Sequence, residues 1–151
     1  MRLFAVMACV LLTAGTALAA PTAAQCANQG YNVIIGTAGD DVLTGTNGDD
    51  CIFGLGGDDV IRGRGGNDQL IGGRGNDTIR GGKGNDSIYG GRGADTLSGG
   101  SGDDFITGGR GNDTIRGGKG NDDIVGGSGD DHIRAGSGAD VVKGGRGNDT
   151  I

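Results

Sequence analysis

The sequence predicts an all-β fold, a solenoid in which short strands alternate with tight turns. Three observations predict it. A nine-residue unit begins at Gly36 and runs without insertion or deletion through twelve complete copies to Lys143. A thirteenth copy starts at Gly144 and reaches Ile151, one residue short. Within the unit the fourth position is always Gly, from Gly39 to Gly147, and the eighth is always Leu, Ile or Val. Glycine supplies 38 of the 151 residues and proline one, and a strict period is what separates such a composition from a disordered Gly-rich chain.

The chain opens with a different kind of sequence. Met1-Arg2 gives a short positive start, an apolar stretch runs from Leu3 to about Leu12, and Ala17-Leu18-Ala19 follows. This is the pattern of a secretory signal peptide over residues 1–19, cut after Ala19, and it places the mature chain outside the cell. A membrane anchor is the alternative. The run is broken by Thr13, Gly15 and Thr16 and is shorter than the ~20 residues a span needs. Removing Arg2 leaves 12 basic against 19 acidic residues, a net charge of about −7, which argues against a nucleic-acid surface.

Cys26 and Cys51 are the cysteines that remain after cleavage. In an oxidising compartment the two are expected to pair, which would stabilise the fold by roughly 3 kcal/mol through loop closure. Two free thiols or an intermolecular bridge are the other outcomes. Between them, Gly30, Asn32 and Ile34 fall at positions four, six and eight of the repeat frame. Residues 20–35 therefore read as an N-terminal cap built on a degenerate repeat, since the end units of solenoids are atypical. Residues 36–151 are the repeat region.

Inside the repeat, Gly at positions one, two and four permits positive φ and close backbone approach. The six residues G-G-x-G-x-D are expected to form the turn and the remaining three a very short strand. Alternation then points position eight inward and positions seven and nine outward. The sixth position is Asp in every copy: Asp41, Asp50, Asp59, Asp68, Asp77, Asp86, Asp95, Asp104, Asp113, Asp122, Asp131, Asp140 and Asp149. The chain has no Glu, and all 19 of its acidic residues lie in the repeats. Such a pattern suggests ligands set at fixed positions.

The unit G-G-x-G-x-D-x-U-x, with U a large aliphatic, resembles the calcium-binding nonapeptide repeat of the RTX (hemolysin-type) proteins. The resemblance covers roughly three quarters of the chain. It implies a parallel β-roll with two nonapeptides per coil. It also implies several Ca²⁺ ions, each between one turn and the turn two repeats on, held by position-six carboxylates and turn carbonyl oxygens. One row would be Asp41, Asp59, Asp77, Asp95, Asp113, Asp131 and Asp149, and the opposite row Asp50, Asp68, Asp86, Asp104, Asp122 and Asp140. Physical chemistry agrees with the ion type. One aliphatic per nonapeptide is a thin core, and stacked carboxylates repel unless a hard cation with oxygen ligands lies between them. The repeats lack the His/Cys clusters that Zn²⁺ or copper would need, and Mg²⁺ keeps its waters. Thr37, Thr46, Leu55 and Arg64 replace the second Gly, so a left-handed turn would be strained there. Asp40, Asp49, Asp58, Asp103 and Asp130 at position five are either further ligands or solvated charges.

Position nine differs between alternate repeats. Thr44, Arg62, Arg80, Ser98, Arg116 and Arg134 make a basic stripe, while Phe53, Ile71, Tyr89, Thr107, Val125 and Lys143 are largely apolar. The first offsets acidic turns, or binds an acidic glycan or cell-surface partner. Catalysis has little foothold: His132 is the single His, and no nucleophile–base set stands out, so an enzyme is not expected. Two functions remain. One is a secreted calcium-binding protein that folds on Ca²⁺ and serves a structural or adhesive extracellular role. The other is the calcium-binding portion of a larger secreted enzyme or toxin whose other domain lies beyond residue 151.

Overall fold

A computed structural model describes residues 20–151. The signal peptide read in residues 1–19 lies outside the described residues. The first element is a short helix, α1 (Ala23–Gln29). Thr22 caps it: the Thr22 hydroxyl accepts from the Gln25 N–H, and the Thr22 N–H donates to the Gln25 side chain. The helix ends at Gly30, which is left-handed with φ 89°.

Thirteen strands follow. They are β1 (Asn32–Ile35), β2 (Val42–Thr44), β3 (Asp50–Gly56), β4 (Val60–Gly65), β5 (Gln69–Arg74), β6 (Thr78–Lys83) and β7 (Ser87–Arg92), then β8 (Thr96–Ser101), β9 (Phe105–Arg110), β10 (Thr114–Lys119), β11 (Asp123–Ser128), β12 (His132–Ser137) and β13 (Val141–Arg146). The odd-numbered strands form one seven-stranded sheet and the even-numbered strands a six-stranded one. Every pairing is parallel, and partners are eighteen residues apart, as in Thr78↔Thr96 and Ile79↔Leu97. Two nonapeptides thus make one coil, and the chain is a parallel β-roll. The degenerate repeat keeps the frame, with Asn32 opposite Asp50 and Ile34 opposite Ile52. A disulfide joins Cys26 in α1 to Cys51 in β3, with Cα atoms 6.1 Å apart. Among the described residues no helix is long and apolar enough to cross a membrane.

The core is the row of position-eight residues from both sheets. Ile52, Ile61, Leu70, Ile79, Ile88, Leu97, Ile106, Ile115, Ile124 and Ile133 are buried in one cluster, closed at its ends by Ile34, Leu43, Ala135 and Val142. Burying each such side chain contributes about 1.5–3 kcal/mol.

The strands are longer than the three residues expected. Most hold six, from position seven through position three of the next repeat, as in β6 (Thr78–Lys83). Pairing continues across the glycines, with Gly82 opposite Gly100 and Lys83 opposite Ser101. A backbone ladder needs no side chain, so glycine does not end it. The true turn is the three-residue piece G-x-D, for example Gly84-Asn85-Asp86 between β6 and β7. Position-one glycine also has a reason other than positive φ. A Cβ on Gly81 would collide with Asp86 Oδ2 and sit 2.7 Å from the Gly99 carbonyl oxygen. Positions two and four are the left-handed ones, as at Gly82 with φ 127° and Gly84 with φ 112°.

Position five has a structural contact of its own. Its side-chain oxygen accepts from the position-five N–H one coil on: Asp58 N–H to Asp40, Asn76 N–H to Asp58, Asn85 N–H to Asn67, and Asn121 N–H to Asp103. Asp49 and Asp130 accept in the same way from Asn67 and Asn148. Asn and Asp serve alike because both present an acceptor oxygen. Ala94 interrupts one of these ladders. Its own N–H donates to Asn76, but it offers no acceptor to Asn112 on the next coil. Ala94→Asn should therefore raise the thermal midpoint of the folded protein, with a gain of about 0.5–1 kcal/mol for one exposed hydrogen bond. Differential scanning calorimetry of the two proteins side by side checks this; no rise would mean that the ladder adds nothing to stability.

Candidate metal centres in the turns

The position-six aspartates are set at the end of each turn by the residues around them. The G-x-D piece reverses the chain, and the strand that follows turns the aliphatic inward, which draws the carboxylate under the backbone. From Asp50 to Asp131 these aspartates are at most 2% exposed. They form the two rows read from the sequence, one on each side of the roll. Asp41, Asp140 and Asp149, at the ends, are only half-buried.

Each carboxylate treats its two oxygens differently. Oδ1 accepts from the backbone N–H of the aspartate one coil earlier: Asp59 N–H to Asp77 at 2.9 Å, Asp77 N–H to Asp95 at 2.8 Å, Asp95 N–H to Asp113 at 2.9 Å. The other row repeats this, from Asp50 N–H to Asp68 through Asp122 N–H to Asp140. Oδ2 has no donor. In Asp59, Asp68, Asp77, Asp86, Asp95, Asp104, Asp113, Asp122 and Asp131 this oxygen is buried without a hydrogen-bond partner. An unsatisfied buried ionised oxygen is among the most unfavourable groups a protein can hold.

The surroundings of Oδ2 are oxygen-rich. The place a Cβ would take on Gly72 is crowded by Asp77 Oδ2 and lies 2.7 Å from the Gly90 carbonyl oxygen, and the same pair of oxygens recurs at Gly63, Gly81, Gly90, Gly108 and Gly126. A carboxylate oxygen of one turn and a carbonyl oxygen one coil on thus approach a common point. Among the described residues no three His, Cys or carboxylate side chains converge. A metal here would take a carboxylate together with main-chain carbonyls. That donor set, all hard oxygen, fits Ca²⁺ and not a thiolate- or imidazole-seeking ion. The bound cation would supply the positive charge that Oδ2 lacks and tie successive coils together.

The first two turns are built in another way. Thr37 N–H and Thr37 Oγ1 both meet Asp41 Oδ2, at 2.6 and 3.0 Å. Thr46 does the same for Asp50, again at 2.6 and 3.0 Å. The hydroxyl also accepts from the N–H two residues on, Gly39 for Thr37 and Gly48 for Thr46. Thr37 and Thr46 do not have positive φ, so the strain expected for them does not arise. Leu55 and Arg64 do, with φ 80° and 87°. They adopt the left-handed turn and point their side chains outward. The sequence showed these four only as departures from the glycine pattern. The side-chain donors at Thr37 and Thr46 could not be read from spacing, because they depend on a turn conformation that differs from the other eleven.

Burial governs the electrostatics. It pushes the Asp86 and Asp113 carboxyls up to about 7 and those of Asp68, Asp77 and Asp104 up to about 6, against the opposing backbone N–H and with neighbouring aspartates adding to the rise. Asp59, Asp95, Asp122 and Asp131 are raised for the same reason. Without a divalent ion the folded chain therefore binds more protons than the unfolded one between about pH 4 and pH 7, and its stability falls as pH rises through that window. In EDTA, lowering the pH from about 8 to about 5 should increase the far-UV β signal. A signal that stays flat, or declines, over this range would contradict the burial of these carboxylates.

The family model described as the RTX calcium-binding nonapeptide repeat matches residues 27–61, 62–97, 89–124, 98–133 and 116–151. No curated protein matches the chain. The matched segments together run from the degenerate repeat to the last residue, and the chain belongs to the family of RTX calcium-binding nonapeptide repeat proteins.

Proposed function

We propose that this chain is a secreted protein that folds on binding Ca²⁺ between stacked turns and serves a structural or adhesive role outside the cell. The observation that carries the reading is the set of nine buried Oδ2 atoms without a donor. These nine aspartates are the ligands we assign to the ions, with position-one carbonyls completing the donor set. Residues 1–19 would direct export, and α1 with β1 would cap the roll. Cytosolic chelation of calcium to low levels would keep the repeats unfolded until they leave the cell, since a chain whose charges cannot be buried unpaired does not collapse. A non-catalytic role suits His132, which is exposed on β12.

Far-UV circular dichroism tests the reading directly. The chain from residue 20 should pass from a largely disordered to a β spectrum on adding millimolar Ca²⁺, and EDTA should reverse the change. Asp95 takes part in the middle of its row, accepting from the Asp77 N–H and donating its own to Asp113. Asp95→Ala should raise the calcium midpoint several-fold and flatten the transition, because a linear stack propagates through its neighbours. Asp41→Ala should change the midpoint far less, since Thr37 already satisfies its Oδ2. A full β spectrum in EDTA would dispose of calcium-coupled folding, and equal effects of the two substitutions would dispose of the linked row.

The outer face of the six-stranded sheet supports a partner of defined charge. Arg62 lies opposite Arg80, Ser98 follows, and Arg116 lies opposite Arg134, all in register. The four arginines are exposed. A row of guanidinium groups spaced by the strand separation of ~4.8 Å suits an extended polyanion, and an acidic polysaccharide is the class we favour. In calcium, binding to an immobilised uronic-acid polysaccharide should weaken steeply with added salt and drop in the Arg62→Ser/Arg80→Ser variant. Binding that ignores both would remove this face from consideration.

A further inference from the structure

The two N-terminal turns differ from the rest in a way that bears on how the roll assembles. In both, a threonine supplies the donors that the buried aspartates from Asp59 onward lack. Asp41 Oδ2 receives the Thr37 amide and hydroxyl, and Asp50 Oδ2 receives those of Thr46. Asp50 is fully engaged, because Asn32 Nδ2 also donates to its Oδ1 at 2.6 Å. The next turn in each row, at Asp59 and Asp68, already has an orphaned Oδ2. The switch is abrupt and coincides with a change of backbone: positions two and four become left-handed at Leu55, Gly57, Arg64 and Gly66, but not at Thr37, Gly39, Thr46 or Gly48.

Asp41 and Asp50 belong to opposite rows, so the two threonine turns make one complete coil and no more. That coil is also the one tied to the cap. The Cys26–Cys51 disulfide anchors α1 to the residue after Asp50, and β1 pairs with β3 in register. Every position-six N–H of this coil donates onward, Asp41 to Asp59 Oδ1 and Asp50 to Asp68 Oδ1. The coil therefore offers a finished edge with donors already aimed at the first orphaned carboxylates.

From these contacts we infer that residues 32–53 form an ion-independent template. In it, the Thr37 and Thr46 donors stand in for the cation, and the calcium-dependent coils add onto it from the N-terminal end. This rests on the calcium reading above and refines it. Asp41 and Asp50 are not ion ligands, and the bound ions begin with the turns of Asp59 and Asp68. A one-dimensional stack needs a nucleus, because the first coil orders its backbone without a neighbour to pair with. The cap, the disulfide and the hydroxyls supply it without metal.

Amide hydrogen exchange read by mass spectrometry, on the disulfide-bonded chain from residue 20, tests the inference in EDTA and in calcium. In EDTA, amides of residues 32–53 should exchange roughly tenfold or more slowly than those of residues 72–149, the factor one hydrogen bond to a charged group supplies. In calcium all the coils should be protected. The Thr37→Val/Thr46→Val variant keeps the side-chain volume and loses the hydroxyls. It should lose the protection of 32–53 in EDTA yet still fold in calcium, with a higher calcium midpoint. Unprotected 32–53 in the parent chain in EDTA, with normal folding in calcium, would overturn the template and leave calcium binding intact. Protection along the whole chain in EDTA would overturn both. Unchanged protection in the valine variant would show that the hydroxyls are not the substitute for the ion.

Discussion

A carboxylate held with one oxygen satisfied and the other abandoned is the constraint on which the rest of this structure depends. Position-six Oδ1 is fixed by the backbone N–H one coil earlier, which sets the spacing between coils. Oδ2 is left facing the glycine at position one and the carbonyl one coil on. Among the described residues none donates a hydrogen bond to it from Asp59 to Asp131. The aliphatic core is a single file of side chains between two sheets, too thin to hold nine such charges in place against desolvation. A cation between the coils would turn the same arrangement from repulsive to binding, and would make stability a function of an external concentration.

The glycines follow from that constraint more than from turn flexibility. Position one is glycine because the carboxylate occupies the space of a Cβ, and Ala135 is the one exception. Position two is left-handed in the regular turns, and there a side chain is tolerated only at Leu55 and Arg64, which stack over the threonine turns. From Gly73 onward the Cβ would run into the carbonyl of the left-handed residue one coil below, as Gly73 would into Leu55. The order Thr, then Leu or Arg, then Gly along each row is thus a record of what lies beneath each turn.

A second, weaker row runs beside the first. The position-five Asp and Asn side chains bind backbone N–H groups of the next coil on the exposed edge of each turn. Each of these side chains that faces a further coil's N–H accepts from it. They stiffen the turn that presents Oδ2, and their indifference to Asp or Asn explains why the sequence alternates freely between the two at that place. The arginine stripe on the outer face of the six-stranded sheet comes from the same periodicity: any residue choice repeated every eighteen positions becomes a stripe along the roll.

The sequence by itself determined the period, the inward row of Leu, Ile and Val and the aspartate that recurs in every copy; the pairing of each repeat with the second one on, and with it the two rows, was what the resemblance implied. These survive without coordinates because strict repetition converts position in the chain into position in space, and a solenoid has no long-range topology left to choose. It also placed Asn32 and Ile34 in frame ahead of the first full repeat. Only the tertiary structure decided how far the strands extend, since backbone pairing across Gly82 and Gly100 leaves no mark in side-chain alternation. Only it showed which oxygen of each aspartate lacks a donor. And only it separated Thr37 and Thr46 from Leu55 and Arg64, four residues that look alike as departures from glycine: the first pair reach the carboxylate in a turn of negative φ, and the second pair cannot, because in the left-handed turn the position-two amide no longer meets Oδ2.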